Sequence, residues 1–218
     1  MKIGKYRLGL ALALLSLLVF GVYYILFVRT VSVTKLLTKN ETKPPQKYIK
    51  WVEDKGNGLI EKKQIDNFMF TLQYIPKDYM MLKEDPALSD SKLHEKSKEL
   101  GDLQYFTFTI SSVDEKDVME SGIVSQEEYQ KRIEYFSFQM QNDLKLIDGN
   151  DTLECVLFNF ERTFGIQPQC RFNLAFESVR KSGEYKTMVF NDQVLGLGTV
   201  KLSLLTKNLE NIPHLKII

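Results

Sequence analysis

Residues 8–28, LGLALALLSLLVFGVYYILFV, carry no charged side chain over 21 consecutive positions. At 1.5 Å rise per residue such a run makes a helix of roughly 31 Å, the thickness of one hydrocarbon core. Only Ser16 and the glycines Gly9 and Gly21 interrupt its Leu/Ala/Val/Phe surface. A core helix of a water-soluble domain would show a polar face, and this stretch has none. Lys2, Lys5 and Arg7 supply the basic start that both secretory signals and membrane anchors share. A cleavable signal has a shorter apolar run, about 7–15 residues, followed by small side chains at the cut. Here the run closes on Tyr23, Tyr24, Ile25, Leu26, Phe27 and Val28, and cutting at the small-residue site Ala11-Leu12-Ala13 would leave an apolar tail. The segment reads as a retained anchor, with a removed signal as the alternative. Tyr23 and Tyr24 suit a membrane interface.

The basic residues flanking the run are nearly balanced: Lys2, Lys5 and Arg7 before it, Arg29, Lys35, Lys39, Lys43 and Lys47 after it. A very short N-terminal tail stays cytoplasmic while the long domain is exported, so the expected arrangement is single-pass, with a periplasmic C-terminal domain. The whole chain has net charge +1, yet all 28 acidic residues follow position 30. Beyond Arg29 they face 25 basic residues, about −3, which argues against the basic footprint that nucleic-acid binding needs.

Three parts are therefore expected: an anchor over 1–29, an extended linker over 30–47 ending in Pro44-Pro45, and a β-rich domain over 48–218. Proline pairs resist helix and strand alike. Within the domain, YIKWVE (48–53) has strand-forming residues, and Gly56-Asn57-Gly58 is a turn signal. NFMFTLQYI (67–75) and DLQYFTFTIS (102–111) alternate as strands, the first with two fairly apolar faces that suit a central position. Residues 86–100 read as a short exposed helix stopped by Gly101, and 113–124 as an acidic loop. Ser125-Gln126-Glu127-Glu128 is a capping box, which predicts a helix over 125–134. Phe136, Phe138 and Met140 alternate, and their aromatic content favours a strand after that helix. TLECVLFNFERTF (152–164), RFNLAFE (171–177), TMVFND (187–192) and TVKLSLL (199–205) complete about eight strands. The class is α+β, mainly β: an antiparallel sandwich-like or curled sheet with two short helices.

Chemistry-bearing motifs are sparse. His94 and His214 lack metal-ligand neighbours, and no nucleophile elbow, zincin or P-loop pattern is present. Carboxylates cluster at Glu53-Asp54, Asp114-Glu115-Asp117 and Glu127-Glu128, in polar segments where solvated faces are expected. No catalytic, cofactor-binding or metal residue is assigned, and no cofactor is expected. Cys155 and Cys170, with fourteen residues between them, form a candidate disulfide in an oxidising compartment, against the alternative of two buried thiols. Phe158, Phe160, Glu161 and Arg162 form a candidate partner groove. Neighbours on a strand point to opposite faces, so Glu161 and Arg162 do not pair, and one of them is expected to meet a charge such as Arg171 or Glu177.

KYIKWVE through GLI, FTLQYIPKDY, LECVLFNFER and the closing NLENIPHLKI resemble uncharacterised β-rich cell-envelope proteins of Bacteroidota-type bacteria. The resemblance implies a short, exported, β-rich chain and no reaction. Many such proteins are lipoproteins; this chain departs from that version because it has no N-terminal cysteine. The expected function is a non-enzymatic envelope protein: a protein-binding adaptor or structural and assembly subunit, held in the bilayer through residues 8–28 and docked to another envelope protein. The alternatives are an exported binding module for a small apolar or lipid-like ligand and a carboxylate-based hydrolase.

Overall fold

The computed structural model describes residues 41–161 and 168–216; the anchor segment and Arg162 lie outside them. No helix among the described residues is long and apolar enough to cross a membrane. The fold is mainly β. One antiparallel sheet of eight strands curls until it is nearly a barrel.

In chain order the strands are β1 (Ile60–Ile65), β2 (Phe68–Ile75), β3 (Leu103–Ser112), β4 (Leu144–Asp148), β5 (Asp151–Glu161), β6 (Gln169–Glu177), β7 (Tyr185–Asn191) and β8 (Thr199–Leu205). Their spatial order is β1-β2-β3-β6-β5-β4-β7-β8. The two edge strands, β1 and β8, meet at the seam, where the Lys63 ammonium donates to the Lys201 carbonyl at 3.5 Å. Glu61, Lys62 and Lys63 stud the β1 edge with charge, which protects an edge from pairing with another chain.

Alternation sorts the side chains. Phe70 and Leu72, Phe106 and Phe108, Phe172 and Leu174, Met188 and Phe190, and Leu202 and Leu204 point inward and are fully buried or nearly so. Their rings touch across the interior: Phe108 meets Phe190 at 5.8 Å and Phe70 at 6.0 Å between centroids. β5 serves two neighbours. Its first half pairs with β4 and its second half with β6, the register shifting between Cys155 and Leu157. Such a bulge bends the strand and lets one sheet turn a corner.

Among the described residues there are five α-helical segments, where two short helices were expected: α1 (Pro45–Glu53), α2 (Lys77–Glu84), α3 (Asp90–Glu99), α4 (Gln126–Glu134) and the single turn α5 (Thr206–Leu209). The expected strand at 48–53 is thus a helix, and it starts in the Pro44-Pro45 pair assigned to the linker. Proline at a helix's first position loses only an N–H with no intrahelical partner, and its fixed φ is already helical. Tyr48 and Val52, one turn apart, then bury one face of α1 against Leu59 and Leu82. That is an i, i+4 stripe, which the β-forming residue types obscured.

α4 begins as expected. Ser125 Oγ accepts from the Glu128 amide at 3.2 Å, while the Glu128 carboxylate accepts from the Val124 amide at 3.0 Å. The strand expected after it is instead a continuation of helix: a π turn over Tyr135–Gln139 and a 3₁₀ turn over Met140–Asp143. Phe136 and Met140, four apart, both enter the core, and Phe136 packs on Phe172 at 5.4 Å. Burial followed the 3.6-residue period, and Phe138 between them is left 79% exposed. The eight strands therefore include two the alternation did not mark, β1 and β4, in place of those two. Polar β1 is an edge, and β4 is short.

The two ends of the curled sheet close differently. At one end the buried Arg132 guanidinium ties two loops, donating to the carbonyls of Val118 (2.8 Å), Ser121 (2.6 Å) and Val194 (3.1 Å). At the other, α1, α2 and the C-terminal residues form a second small core, and Lys216 N donates to the Lys43 carbonyl at 2.8 Å. The β4–β5 turn also lies at that end. There buried Asp148 accepts from Lys186, from Gly183 N at 2.9 Å and from Ser182 Oγ at 3.3 Å.

Candidate binding groove on the outer sheet face

The outward residues of the central strands make a second surface. Register stacks them into rows. Lys62, Thr71, Thr109, Arg171 and Glu161 form one row across β1, β2, β3, β6 and β5. Ile60, Gln73, Thr107, Asn173 and Asn159 form the next. Strands lie about 4.8 Å apart, so the first row spans roughly 19 Å between its terminal Cα atoms. The β2–α2 connection at Pro76 folds α2 back over this face, so that Tyr79, Met80 and Lys83, together with Glu53 and Leu100, wall one side. The result is a groove of about 840 Å³, floored mainly by hydroxyl and amide side chains. That lies within the roughly 300–1,000 Å³ usual for ligand sites.

Part of its polar capacity is used internally. Thr107 Oγ1 donates to Asn173 Oδ1 at 3.2 Å, and Asn173 Nδ2 donates to Glu161 Oε1 at 2.6 Å. Arg171 Nε lies 3.9 Å from Glu161 Oε2, so Glu161 does meet one of the two charges named from the sequence. On the wall, Tyr79 OH donates to Glu53 Oε1 at 2.9 Å, and Lys83 reaches the same oxygen at 3.4 Å. Burial, that hydrogen bond and the Glu53 charge push the Tyr79 phenol up to about 12, while the nearby Arg171 charge opposes the shift. Arg171 and Tyr79 both line the groove. Thr71, Gln73 and Thr109 are half-buried on the floor. Their side chains, and the Lys62 ammonium at its end, have no hydrogen-bond partner among the described residues.

The expected partner groove is divided by the pleat. Phe158 and Phe160 turn inward and pack on Phe172, with ring centroids at 5.7 and 4.9 Å. Both are half-buried and pack against the core. Glu161 turns outward into the groove, and Arg162 lies outside the described residues. The candidate disulfide also needs correction: both cysteines are free and buried. Cys155 stands opposite Phe176 on β6, six residues from Cys170 along the same strand. Six residues of strand are roughly 20 Å, whereas a disulfide needs Cα atoms within about 7 Å. Burial pushes the thiols up, Cys155 to about 11 and Cys170 to about 12.

His94 and His214 are exposed. Asp114 is engaged with Ser112 and with Lys116 at 3.0 Å, and Asp117 caps the amide of Met119 at 2.9 Å. Among the described residues no group of three or more His, Cys, Asp or Glu side chains is placed to hold a metal ion. The residues that sequence reading missed are Thr71, Gln73, Thr107, Thr109 and Asn173. Their signal was the polar half of each alternation. It gains meaning only when register aligns three strands.

No family model matches this chain, and no curated protein matches it. Among solved structures, a novel protein of unknown function from Burkholderia pseudomallei K96243 is similar at 10% identity and a TM-score of 0.34, covering 78% of this chain and 93% of that one.

Proposed function

We propose that this chain is a membrane-held, extracytoplasmic envelope protein that binds rather than catalyses, with the outer-face groove as its binding site. The groove carries the reading: half-buried Thr71, Gln73 and Thr109 face open space with their hydrogen-bonding capacity unspent. Polar groups in such a position gain from a ligand that can pair with them. The two groove carboxylates already have partners, Glu53 in Tyr79 and Lys83, Glu161 in Asn173 and Arg171. That is the pattern of a shaped wall more than of an acid–base pair. Membrane attachment rests on the uncharged run over 8–28, and the envelope assignment on the resemblance described above.

A photo-crosslinking amino acid at position 109 in the full chain, expressed in its native membrane, tests the site. It should trap a ligand that the same group at Lys181, on an exposed loop, does not. Equal labelling at both positions would remove the groove from consideration. Carbonate washing of those membranes tests the anchor, since a retained span keeps the chain in the pellet.

A second reading, a protein-binding adaptor or assembly subunit, is favoured by Phe138. Its ring stands in solvent on the π turn, a local geometry frequent at functional sites. Crosslinking from position 138 would then capture a partner protein. The apolar-ligand alternative has less support, because the interior phenylalanines are occupied with one another.

A further inference from the structure

We infer that the groove takes an oligosaccharide bearing an acidic group, laid across the strands with that group at the Lys62 end. This rests on the groove being the binding site. The floor strands β2, β3 and β6 are each paired on both sides, so their backbone N–H and C=O groups are used within the sheet. An extended peptide gains its affinity by adding to an unpaired edge, and this floor has none to give. A lipid chain would cover the half-buried hydroxyls and amides with hydrocarbon and leave them unpaired, at a cost for each. A polyhydroxylated ligand suits both constraints. Thr71, Thr109 and Gln73 each donate and accept through side chains alone, as sugar hydroxyls do. Met69, Ile75, Met80 and Leu157 offer apolar surface for the C–H faces of sugar rings.

Charge fixes the polarity. Glu53 is set against Lys83 and Glu161 against Arg171, which leaves Lys62 as the lining charge without a described partner. A carboxylate or other anionic substituent at that end gains a charge-assisted bond. The ladder Lys62-Thr71-Thr109-Arg171 sets its direction, across the strands.

The test uses the full chain in detergent against immobilised probes: oligogalacturonate, oligomers of N-acetylglucosamine, neutral glucan oligomers and mixed-sequence peptides. Oligogalacturonate should bind best. The double variant Thr71→Val and Thr109→Val keeps the branched shape and the strand but removes both hydroxyls. It should weaken saccharide binding roughly tenfold or more, with unfolding unchanged. Lys62→Met should weaken oligogalacturonate and leave the neutral oligomers unaffected. Peptide binding abolished by the double variant would overturn the saccharide assignment while leaving the groove as the site. Saccharide binding indifferent to the double variant would overturn both. Absence of any saccharide binding up to millimolar concentration would overturn the proposal as well.

Discussion

Replacing Lys186 by methionine should cost about 3–5 kcal/mol of stability, the range for breaking one side of a buried ion pair. Asp148 is 0% exposed and Lys186 9%, so neither charge has water to fall back on. Without the ammonium, Asp148 keeps only Gly183 N at 2.9 Å and Ser182 Oγ at 3.3 Å. Those two bonds to the carboxylate are charge-assisted, but both are already made in the native protein, so nothing replaces the lost ammonium and the desolvated carboxylate is left uncompensated. Repacking around the orphan is constrained. A Cβ at Gly183 would lie 2.5 Å from the N and Cα of Gly149, so the two turns already touch backbone to backbone. Converting Asp148 to asparagine as well removes the charge but retains an acceptor for Gly183 N. The double variant should therefore recover about 2 kcal/mol relative to the single one. Urea unfolding of the full chain in detergent, followed by near-ultraviolet circular dichroism, measures both, and an unchanged m-value shows that the comparison is of stability alone. A loss below about 1 kcal/mol for Lys186→Met, or a double variant no better than the single, would refute the reasoning.

Phe172 touches Phe108, Phe136, Phe158 and Phe160, so Phe172→Ala should cost about 3–5 kcal/mol in the same assay. Ser125→Ala removes the acceptor of the Glu128 amide and should cost about 1 kcal/mol, read in the same way. Native Cys155 and Cys170 should resist a thiol reagent at neutral pH and both react in urea, which mass spectrometry would resolve. Because burial raises both thiols, the folded state favours the neutral form. That contribution is whole below the ordinary thiol value of about 8.5 and is lost as pH climbs toward 11 and 12. Denaturation midpoints should accordingly fall through that alkaline window, and less so in a Cys155→Ala, Cys170→Ala variant.

Much of the fold could be read from the chain because a strand with one face in a core must alternate. NFMFTLQYI, DLQYFTFTIS and TVKLSLL declared themselves this way, and the last matches β8 residue for residue. Two segments misled for the same reason: in YIKWVE and YFSFQM the side chains favour strands while the buried positions lie one helical turn apart. Tertiary burial overrode propensity in both. The groove was less legible. Its floor residues stand out only by a polar period of two, and nothing local in the sequence tells which strand will lie beside which. The spatial order joins β3 to β6, across more than fifty residues of chain, before Thr109 faces Arg171. The phenylalanines of β5 drew attention by composition, yet parity sends them to the side opposite Glu161.

A floor whose main-chain amides are fully committed can be rewritten without rebuilding the house beneath it. Exchanging Thr, Gln or Asn on the outer pleat leaves every ladder bond and every interior ring in place. A lineage carrying this scaffold is thus free to drift from one ligand to another by surface substitutions, with folding left untouched. Divergent relatives would then share the aromatic interior while differing at alternate positions of three strands.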